Sequence, residues 1–390
     1  MILDLAAVAD DDVVVHDDVR AERHALADPR RRAQDETGSI REGGHAGYPN
    51  GRMDGPTLRG AVLGLGMIGR HHARILQTDP RVAFAGAVDP TGDRFGALRD
   101  PAQRFDDLDA LLAANAATEI DFAVVAVPTE EHVTCVERLA AEGVSVLVEK
   151  PLAATGDEAR AVIEAVTRAG VRGAVGHVER YNPALIAARE KLDELGPLML
   201  IGTERNGPFP DRIRDVGVVK DLATHDLDLV RWLGGAPVEQ VAAQTSHRMG
   251  REHEDLVLVT GRLASDVPFT CNVDWLTPTK ARRTRILGER GMLVADTLTG
   301  DLTLHENADV AIGWDAAQQL RGVSEGNTIR FALARREPLL VEHEAFWAYV
   351  GGDDSAPVVP LTAGLETVLT AEAVLDSARR GETVRLAGAR

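Results

Sequence analysis

The sequence predicts an α/β chain: a doubly wound parallel sheet, followed by an α+β domain with an open, mostly antiparallel sheet. Three observations carry this. Apolar strand-like runs alternate with helical stretches from about residue 58 to residue 176. A glycine-rich turn, Gly64-Leu65-Gly66-Met67-Ile68-Gly69, joins the first run to the first helix. After residue 197, strand-like stretches follow one another with short turns between them. The 390 residues, 44% hydrophobic and 27% charged, are enough for two cores. No apolar run approaches the roughly 20 residues of a membrane helix. Two cysteines, Cys135 and Cys271, cannot build a disulfide framework, which points to a reducing cytoplasm. A net charge of −18 repels nucleic acid and anionic lipid, so neither is an expected partner. A small anionic ligand stays compatible with that balance, because a helix N-terminus or an arginine cluster holds one locally.

Residues 1–56 stand apart. They carry Asp10-Asp11-Asp12, then Arg30-Arg31-Arg32, then a glycine-rich stretch ending Pro49-Asn50-Gly51, and no structural period persists beyond Val13-Val14-Val15. They are expected to be a disordered tail, or a stretch that is not made if translation starts at Met53. A nucleotide-binding domain is expected over 57–176, and a substrate and oligomerisation domain over 177–390.

Residues 58–63 read as a buried strand running into the glycine turn, 70–77 as a helix stopped at Asp79-Pro80, and 82–88 as a strand ending at Asp89. The glycines have separate tasks. Gly64 permits the tight turn, Gly66 lets backbone approach a pyrophosphate, and Gly69 lets helix pack on strand. The helix N-terminus offers free N–H groups and partial positive charge to the phosphates. Asp89, 20 residues after Gly69, is placed to accept hydrogen bonds from ribose hydroxyls and to repel a 2′-phosphate, so NAD is the expected cofactor. Strand 120–127 is nearly continuously apolar, as strands buried on both faces are. A helix over 130–142, a strand over 144–148 ending Glu149-Lys150-Pro151, a helix over 157–169 and a strand over 171–176 complete the alternation. Asn182-Pro183 then opens a helix, as cap and first-turn residue, that runs to Leu195 and stops at Gly196-Pro197. Stretches 198–204, 238–247, 256–263, 269–275, 281–287, 292–296 and 302–305 supply the second sheet. A helix over 221–233 separates the first two, and helices over 338–350 and 361–380 close the chain.

Oxidising a carbinol by hydride removal requires a base for the hydroxyl proton. Three places offer one. Lys150 ends a buried strand at the ligand edge of the sheet, where desolvation lowers a lysine pKa. Pro151 makes a cis Lys150–Pro151 bond plausible. Asp221 and His225, four apart on the predicted helix, share a face, with Asp228 three residues beyond. They read as a base with its orienting carboxylate, or as half a metal site. No cysteine or third histidine stands at ligand spacing, so no metal is expected. The third place is Gly176-His177-Val178-Glu179-Arg180-Tyr181-Asn182-Pro183, where the two domains meet and His177, Glu179 or Arg180 comes within reach of cofactor or substrate. His71, His72, His247 and His253 read as structural or surface residues. Arg205, Arg212 and Arg214 precede the Asp221 helix, and guanidinium forks suit a diphosphate. The alternative is that they pair with acids in a lid or subunit contact.

Taken together, Gly64-x-Gly66-x-x-Gly69, Asp89, Val127-Pro128-Thr129 with His132, Glu149-Lys150-Pro151 and Asp221-x-x-x-His225 resemble the Gfo/Idh/MocA oxidoreductase family. The resemblance runs from about residue 57 to the end, more loosely after 305. It implies an N-terminal Rossmann domain and a C-terminal open sheet through which subunits form dimers or tetramers; residues 277–288 also resemble that sheet. It implies Lys150, Asp221 and His225 as the catalytic group. It implies cofactor contacts from Gly64, Gly66, Met67, Ile68, Gly69, Asp89, Pro128, Thr129, His132, Glu149 and Lys150. Stretches 176–183 and 207–219 resemble the branch that oxidises the 3-hydroxyl of UDP-N-acetylglucosamine. On that branch Arg180, Tyr181, Asn182, Arg205, Arg212, Arg214 and Asp228 are substrate contacts. An inositol or free-sugar dehydrogenase is the alternative within the family. A non-catalytic NAD-binding regulator is the alternative outside it, and the joint presence of Lys150 and His225 speaks against that. Nothing in the family accounts for the first 55 residues.

Overall fold

The computed structural model describes residues 57–116, 118–210, 216–308 and 325–386. The expectations for residues 1–56, and those for Arg212 and Arg214, lie outside the described residues.

The first sheet grows from β1 (Leu58–Leu63), whose apolar side chains are buried on both faces. In chain order follow α1 (Gly69–Thr78), β2 (Val82–Val88), β3 (Arg104–Phe105), α2 (Leu108–Ala114), β4 (Phe122–Val125), α3 (His132–Ala141), β5 (Ser145–Glu149), α4 (Gly156–Ala169) and β6 (Gly173–Gly176). The strand order is β3-β2-β1-β4-β5-β6, with every pairing parallel. Successive strands are added on one side of β1 and then on the other. The switch point therefore lies between β1 and β4, at the crevice where such sheets bind ligands. The sequence reading lacked β3 and α2. β3 is two residues long, and α2 is two turns held by the Asp107 side chain, which accepts from the Ala110 N–H. α4 opens with a capping box between Thr155 and Glu158.

Next come α5 (Pro183–Glu190), capped by Asn182, and β7 (Leu198–Pro208). α6 (Thr224–Gly234), β8 (Val238–Ser246), β9 (Leu256–Leu263), β10 (Pro268–Asp274), β11 (Leu276–Gly288), β12 (Gly291–Asp296) and β13 (Asp301–Asn307) follow. β14 (Glu325–Phe331), α7 (Pro338–Val350), α8 (Leu361–Arg380) and β15 (Val384–Arg385) end the described chain. The second sheet has nine strands in the order β14-β13-β12-β11-β7-β10-β9-β8-β15. Its pairings are antiparallel except β7 with β10, which is parallel. α5 stops at Glu190 rather than Leu195, and a separate 3₁₀ turn, Leu192–Leu195, finishes that run.

Period-2 alternation gives the second sheet two unlike faces. Ile201, Val257, Val259, Phe269, Val273, Ile286 and Leu293 point to one side and pack under α5, α6 and α8 in a buried core. Glu204, Leu258, Asn272, Arg283 and Arg285 are exposed on the other. α7 lies beyond residue 176 in sequence, yet it packs on the first sheet, with Phe346 edge-on to Phe122 at 5.7 Å between ring centroids.

Candidate active site

Two of the three loop glycines are obligatory on steric grounds. Gly64 has φ +90°, and a Cβ there would stand 2.4 Å from the Ala126 carbonyl oxygen; one on Gly69 would stand 2.0 Å from the Gly64 oxygen. Gly66 differs. It is exposed, and a Cβ there would meet no atom within 4 Å. No side chain caps α1, although the Arg70 and His71 N–H groups already bond to the Gly66 and Ile68 carbonyls. An open cradle over an uncapped helix N-terminus fits a pyrophosphate. Met67 and Ile68 are half-buried in the turn itself, while Pro128 is exposed and Thr129 half-buried just past β4.

Asp89 is more committed than its spacing suggests. Its Oδ2 accepts from the Leu65 N–H at 2.8 Å, and Oδ1 accepts from the Thr91 N–H at 2.8 Å and the Thr91 hydroxyl at 2.7 Å. Burial pushes its carboxyl up, but these bonds and Arg94 outweigh burial and hold it below the usual carboxylate range. The anion that repels a 2′-phosphate is therefore present. Three of roughly four acceptor positions are already used, which leaves about one for a ribose hydroxyl.

Chemistry concentrates where β5 ends. The Lys150–Pro151 peptide is cis. Lys150 Nζ donates to the Asp221 carbonyl at 2.6 Å and lies 3.5 Å from Asp221 Oδ1. Lys220 Nζ returns the tie, donating to the Ala154 carbonyl at 3.1 Å. Asp221 and Lys220 belong to a π-helical turn, Val219–Ala223, that leads into α6. Such i→i+5 turns recur at functional sites. Contrary to the sequence expectation, Asp221 does not orient the His225 imidazole: the wider turn breaks the regular four-residue spacing and turns Asp221 to Lys150. His225 stands on the first turn of α6, half-buried, and its Nδ1 has no hydrogen-bond partner among the described residues. Burial first, then the charge of Lys150, then Arg205, His177 and Arg282, push its pKa well below the ordinary histidine value. The result is a neutral imidazole near a lysine cation. A neutral imidazole is able to accept a proton, and an ammonium is able to donate to a developing oxyanion.

Several expected contacts instead hold the site together. Arg180 makes a bidentate pair with Asp228, at 2.7 and 2.5 Å. Arg205 is buried and donates to Asp226 at 2.7 Å and Glu179 at 2.8 Å. Both guanidinium groups are thus committed to acids beside α6, and for Arg205 this is the acid-pairing alternative to a diphosphate contact. Asp228 is buried beneath Arg180 and Arg231. Tyr181 is buried, its hydroxyl donating to the Pro357 carbonyl, and Asn182 caps α5 and donates to the Thr297 carbonyl. These three serve packing rather than a substrate. His132 is buried between the Val127 and Leu152 carbonyls and ties together the loops after β4 and β5, instead of facing the cofactor edge. The Glu149 carboxylate likewise points inward, accepting from His72.

His177 is fully buried, with neither ring nitrogen hydrogen-bonded among the described residues and Asp228 Oδ2 3.9 Å away. Burial pushes its pKa down to about 4. The sequence reading passed over His72 and His343 as functional residues. The available signal was the Glu342-His343-Glu344 triplet inside the otherwise apolar run of α7. Among the described residues, no group of three or more His, Cys, Asp or Glu is arranged to hold a metal ion, and no helix is long and apolar enough to cross a membrane.

Comparisons with known proteins match both halves of the fold. A family model described as an oxidoreductase family with an NAD-binding Rossmann fold matches residues 58–177, and one described as a GFO/IDH/MocA C-terminal domain matches residues 188–294. UDP-N-acetylglucosamine 3-dehydrogenase of Acidithiobacillus ferrooxidans is 29% identical over 74% of this chain and 87% of its own length. Its solved structure superposes with a TM-score of 0.72 and 26% identity, over 83% of this chain and 98% of that one. Inositol 2-dehydrogenase 2 of Saccharopolyspora erythraea is 28% identical over 84% of this chain and 95% of its own. The structure of GenD2 from gentamicin A biosynthesis, in complex with NAD, superposes with a TM-score of 0.69 at 26% identity, over 87% of this chain and 99% of that one.

Proposed function

This chain belongs to the Gfo/Idh/MocA oxidoreductase family, and we propose that it oxidises a ring secondary alcohol of a sugar or cyclitol to the ketone, the 3-hydroxyl of UDP-N-acetylglucosamine foremost. The observation that carries the reading is the meeting of Lys150, from the nucleotide-binding sheet, with the π-turn that leads to a neutral, half-buried His225. The Gly64–Gly69 loop, the α1 N-terminus, Asp89, Pro128 and Thr129 would hold NAD. Bound NAD supplies the hydride acceptor. His225 takes the hydroxyl proton. Lys150 donates to the same oxygen and stabilises the charge left on it. Asp221 holds the lysine by carbonyl and carboxylate. The Arg180–Asp228 and Arg205–Asp226–Glu179 pairs keep α6, and so His225, in place.

Likeness to a UDP-N-acetylglucosamine 3-dehydrogenase over most of the chain supports the nucleotide-sugar substrate, as do Arg212 and Arg214 in the sequence. An inositol dehydrogenase is the second reading, favoured by the internal pairing of Arg205, which withdraws one of the three arginines from a diphosphate. The free thiols Cys135 and Cys271 support a cytoplasmic setting. The open face of the second sheet supports a homodimer or homotetramer.

NAD reduction measured with UDP-N-acetylglucosamine, myo-inositol and glucose tests the substrate. Turnover with UDP-N-acetylglucosamine alone is expected. Turnover with inositol alone moves the assignment to a cyclitol, and NAD binding without turnover on any of them favours a regulator. On the active substrate, His225→Ala and Lys150→Met should each lower kcat by roughly a hundredfold or more, with NAD affinity nearly unchanged. Because the His225 pKa is depressed, the acid limb of kcat/KM should fall below pH 6.5. Near-normal turnover in both variants would remove the site assignment.

A further inference from the structure

Behind Lys150 lies a buried cluster that the chemistry above does not use. His72 on α1 is fully buried; its Nε2 donates to Glu149 Oε1 at 2.8 Å, and its Nδ1 lies 2.8 Å from Nε2 of the buried His343 on α7. Glu149 Oε2 accepts from the Lys150 backbone N–H at 3.1 Å. A carboxylate only accepts, so the His72 proton sits on Nε2. Which ring nitrogen carries the proton between His72 Nδ1 and His343 Nε2 depends on the tautomer.

A second carboxyl, Glu342, is 1% exposed, and neither of its oxygens has a hydrogen-bond partner among the described residues. Burial, and then the nearby charge of Glu149, push its pKa well above the usual carboxylate value. Two neighbouring buried carboxyls do not both ionise. The hydrogen bonds decide between them: Glu149 receives two donors and Glu342 receives none. Burial pushes the Glu149 carboxyl up, but His72, by hydrogen bond and charge, and then Lys150 hold it below the usual range. The other ionisable groups facing this pair are His132 on α3, toward Glu149, and Asp221, His177 and His225, toward Lys150.

We propose that His72, backed by His343, is a positioning residue for Lys150: it pins the single negative charge of the buried carboxyl pair on Glu149, against Lys150, rather than on Glu342. Its use in catalysis rests on the reading of Lys150 as the donor to the reacting oxygen. The juxtaposition itself needs no substrate, and neither does its test.

The chain has four lysines, so protein labelled with ¹³C-lysine gives few Cε signals, and Lys150→Arg assigns one of them to Lys150. That signal is titrated with pH in wild type and in His72→Phe, His72→Gln, Glu149→Gln and Glu342→Gln proteins, each checked for a native melting transition. Glu149→Gln, which is isosteric, and His72→Phe should each lower the Lys150 midpoint by about one unit or more, the scale of a lost neighbouring anion. His72→Gln, which keeps a donor, should restore most of that shift. Glu342→Gln should leave the midpoint within a few tenths of wild type, because that carboxyl is already neutral. An unmoved midpoint in folded Glu149→Gln overturns the proposal. So does a Glu342→Gln shift as large as that of Glu149→Gln, which would put the charge on the other carboxyl. If His72→Phe does not fold, His343→Phe and Glu149→Gln carry the test. An error in the proposed reaction shows instead in the turnover of Lys150→Met, a separate measurement.

Discussion

A buried imidazole with no hydrogen-bond partner costs on the order of 1–3 kcal/mol, and His177 is such a group beside the reacting centre. Its native pKa near 4 against an unfolded value near 6.5 fixes the sign of its linkage. Above pH 6.5 the ring is neutral in both states. As the pH falls from 6.5 to 4 the unfolded chain takes up a proton that the native fold refuses, so native stability is lost across that window. The loss is at most roughly 3 kcal/mol for this residue, and His225 adds a loss of the same sign. Thermal melts of wild type and His177→Phe, compared at pH 7 and pH 4.5, should show a smaller fall in Tm for the variant; equal falls would mean that His177 already carries its proton in the native state. Lys150 was legible because Glu-Lys-Pro closes an apolar run, and the end of a parallel strand is a ligand position. The true partner of Asp221 was not legible. A π-turn has no sequence period, so the spacing to His225 read as an ordinary helical face.

The elements around the site divide into those that must clear space and those that must fill it. Gly66 belongs to the first kind. Because a Cβ there meets nothing and its φ is not left-handed, Gly66→Val should melt like wild type while weakening NAD binding about tenfold or more, measured by calorimetry. Unchanged affinity would put the cofactor elsewhere. α6 belongs to the second kind, since it is held by acids and arginines rather than by apolar contacts alone. Removing one member of a buried ion pair costs about 3–5 kcal/mol, so Arg205→Met should lower the free energy of urea unfolding by that amount. A loss below about 1 kcal/mol would mean that the Asp226 and Glu179 pairs are weak. The alternation of strands and helices, the glycine turn and the capped start of α5 were legible because each is a local pattern. The roles of Arg180 and Arg205 were not: a sequence displays a charge but not the acid that answers it across 48 residues, as between Arg180 and Asp228. β3 and α2 were missed because they are too short to show a period.

At the scale of the whole molecule, α5, α6 and α8 cover one face of the nine-stranded sheet and leave the other uncovered by any helix among the described residues. That face carries Leu258 with both signs of charge, Arg283 standing in register opposite Glu204. A face with both signs is able to meet its own copy across a two-fold axis. Sedimentation equilibrium should therefore give at least twice the chain mass of 41.8 kDa, and Leu258→Asp with Arg285→Glu should return it toward one chain. A monomeric wild type would assign the face another role. The return of α7 to the first sheet was not visible in its apolar sequence, which says that a helix is buried but not beneath what. The lysines have a consequence of their own for handling the protein. They are Lys150, Lys191, Lys220 and Lys280, and the first 149 residues hold none. Two of the four form the reciprocal tie between the π-turn and the loop after β5. Acylating reagents, and resins that capture amines, therefore find no side-chain handle on the cofactor-binding half ahead of Lys150. Mild coupling anchors the protein through Lys191 or Lys280, on the second half. Exhaustive coupling takes Lys150 and Lys220 as well, and unfastens the tie between the π-turn and the loop after β5.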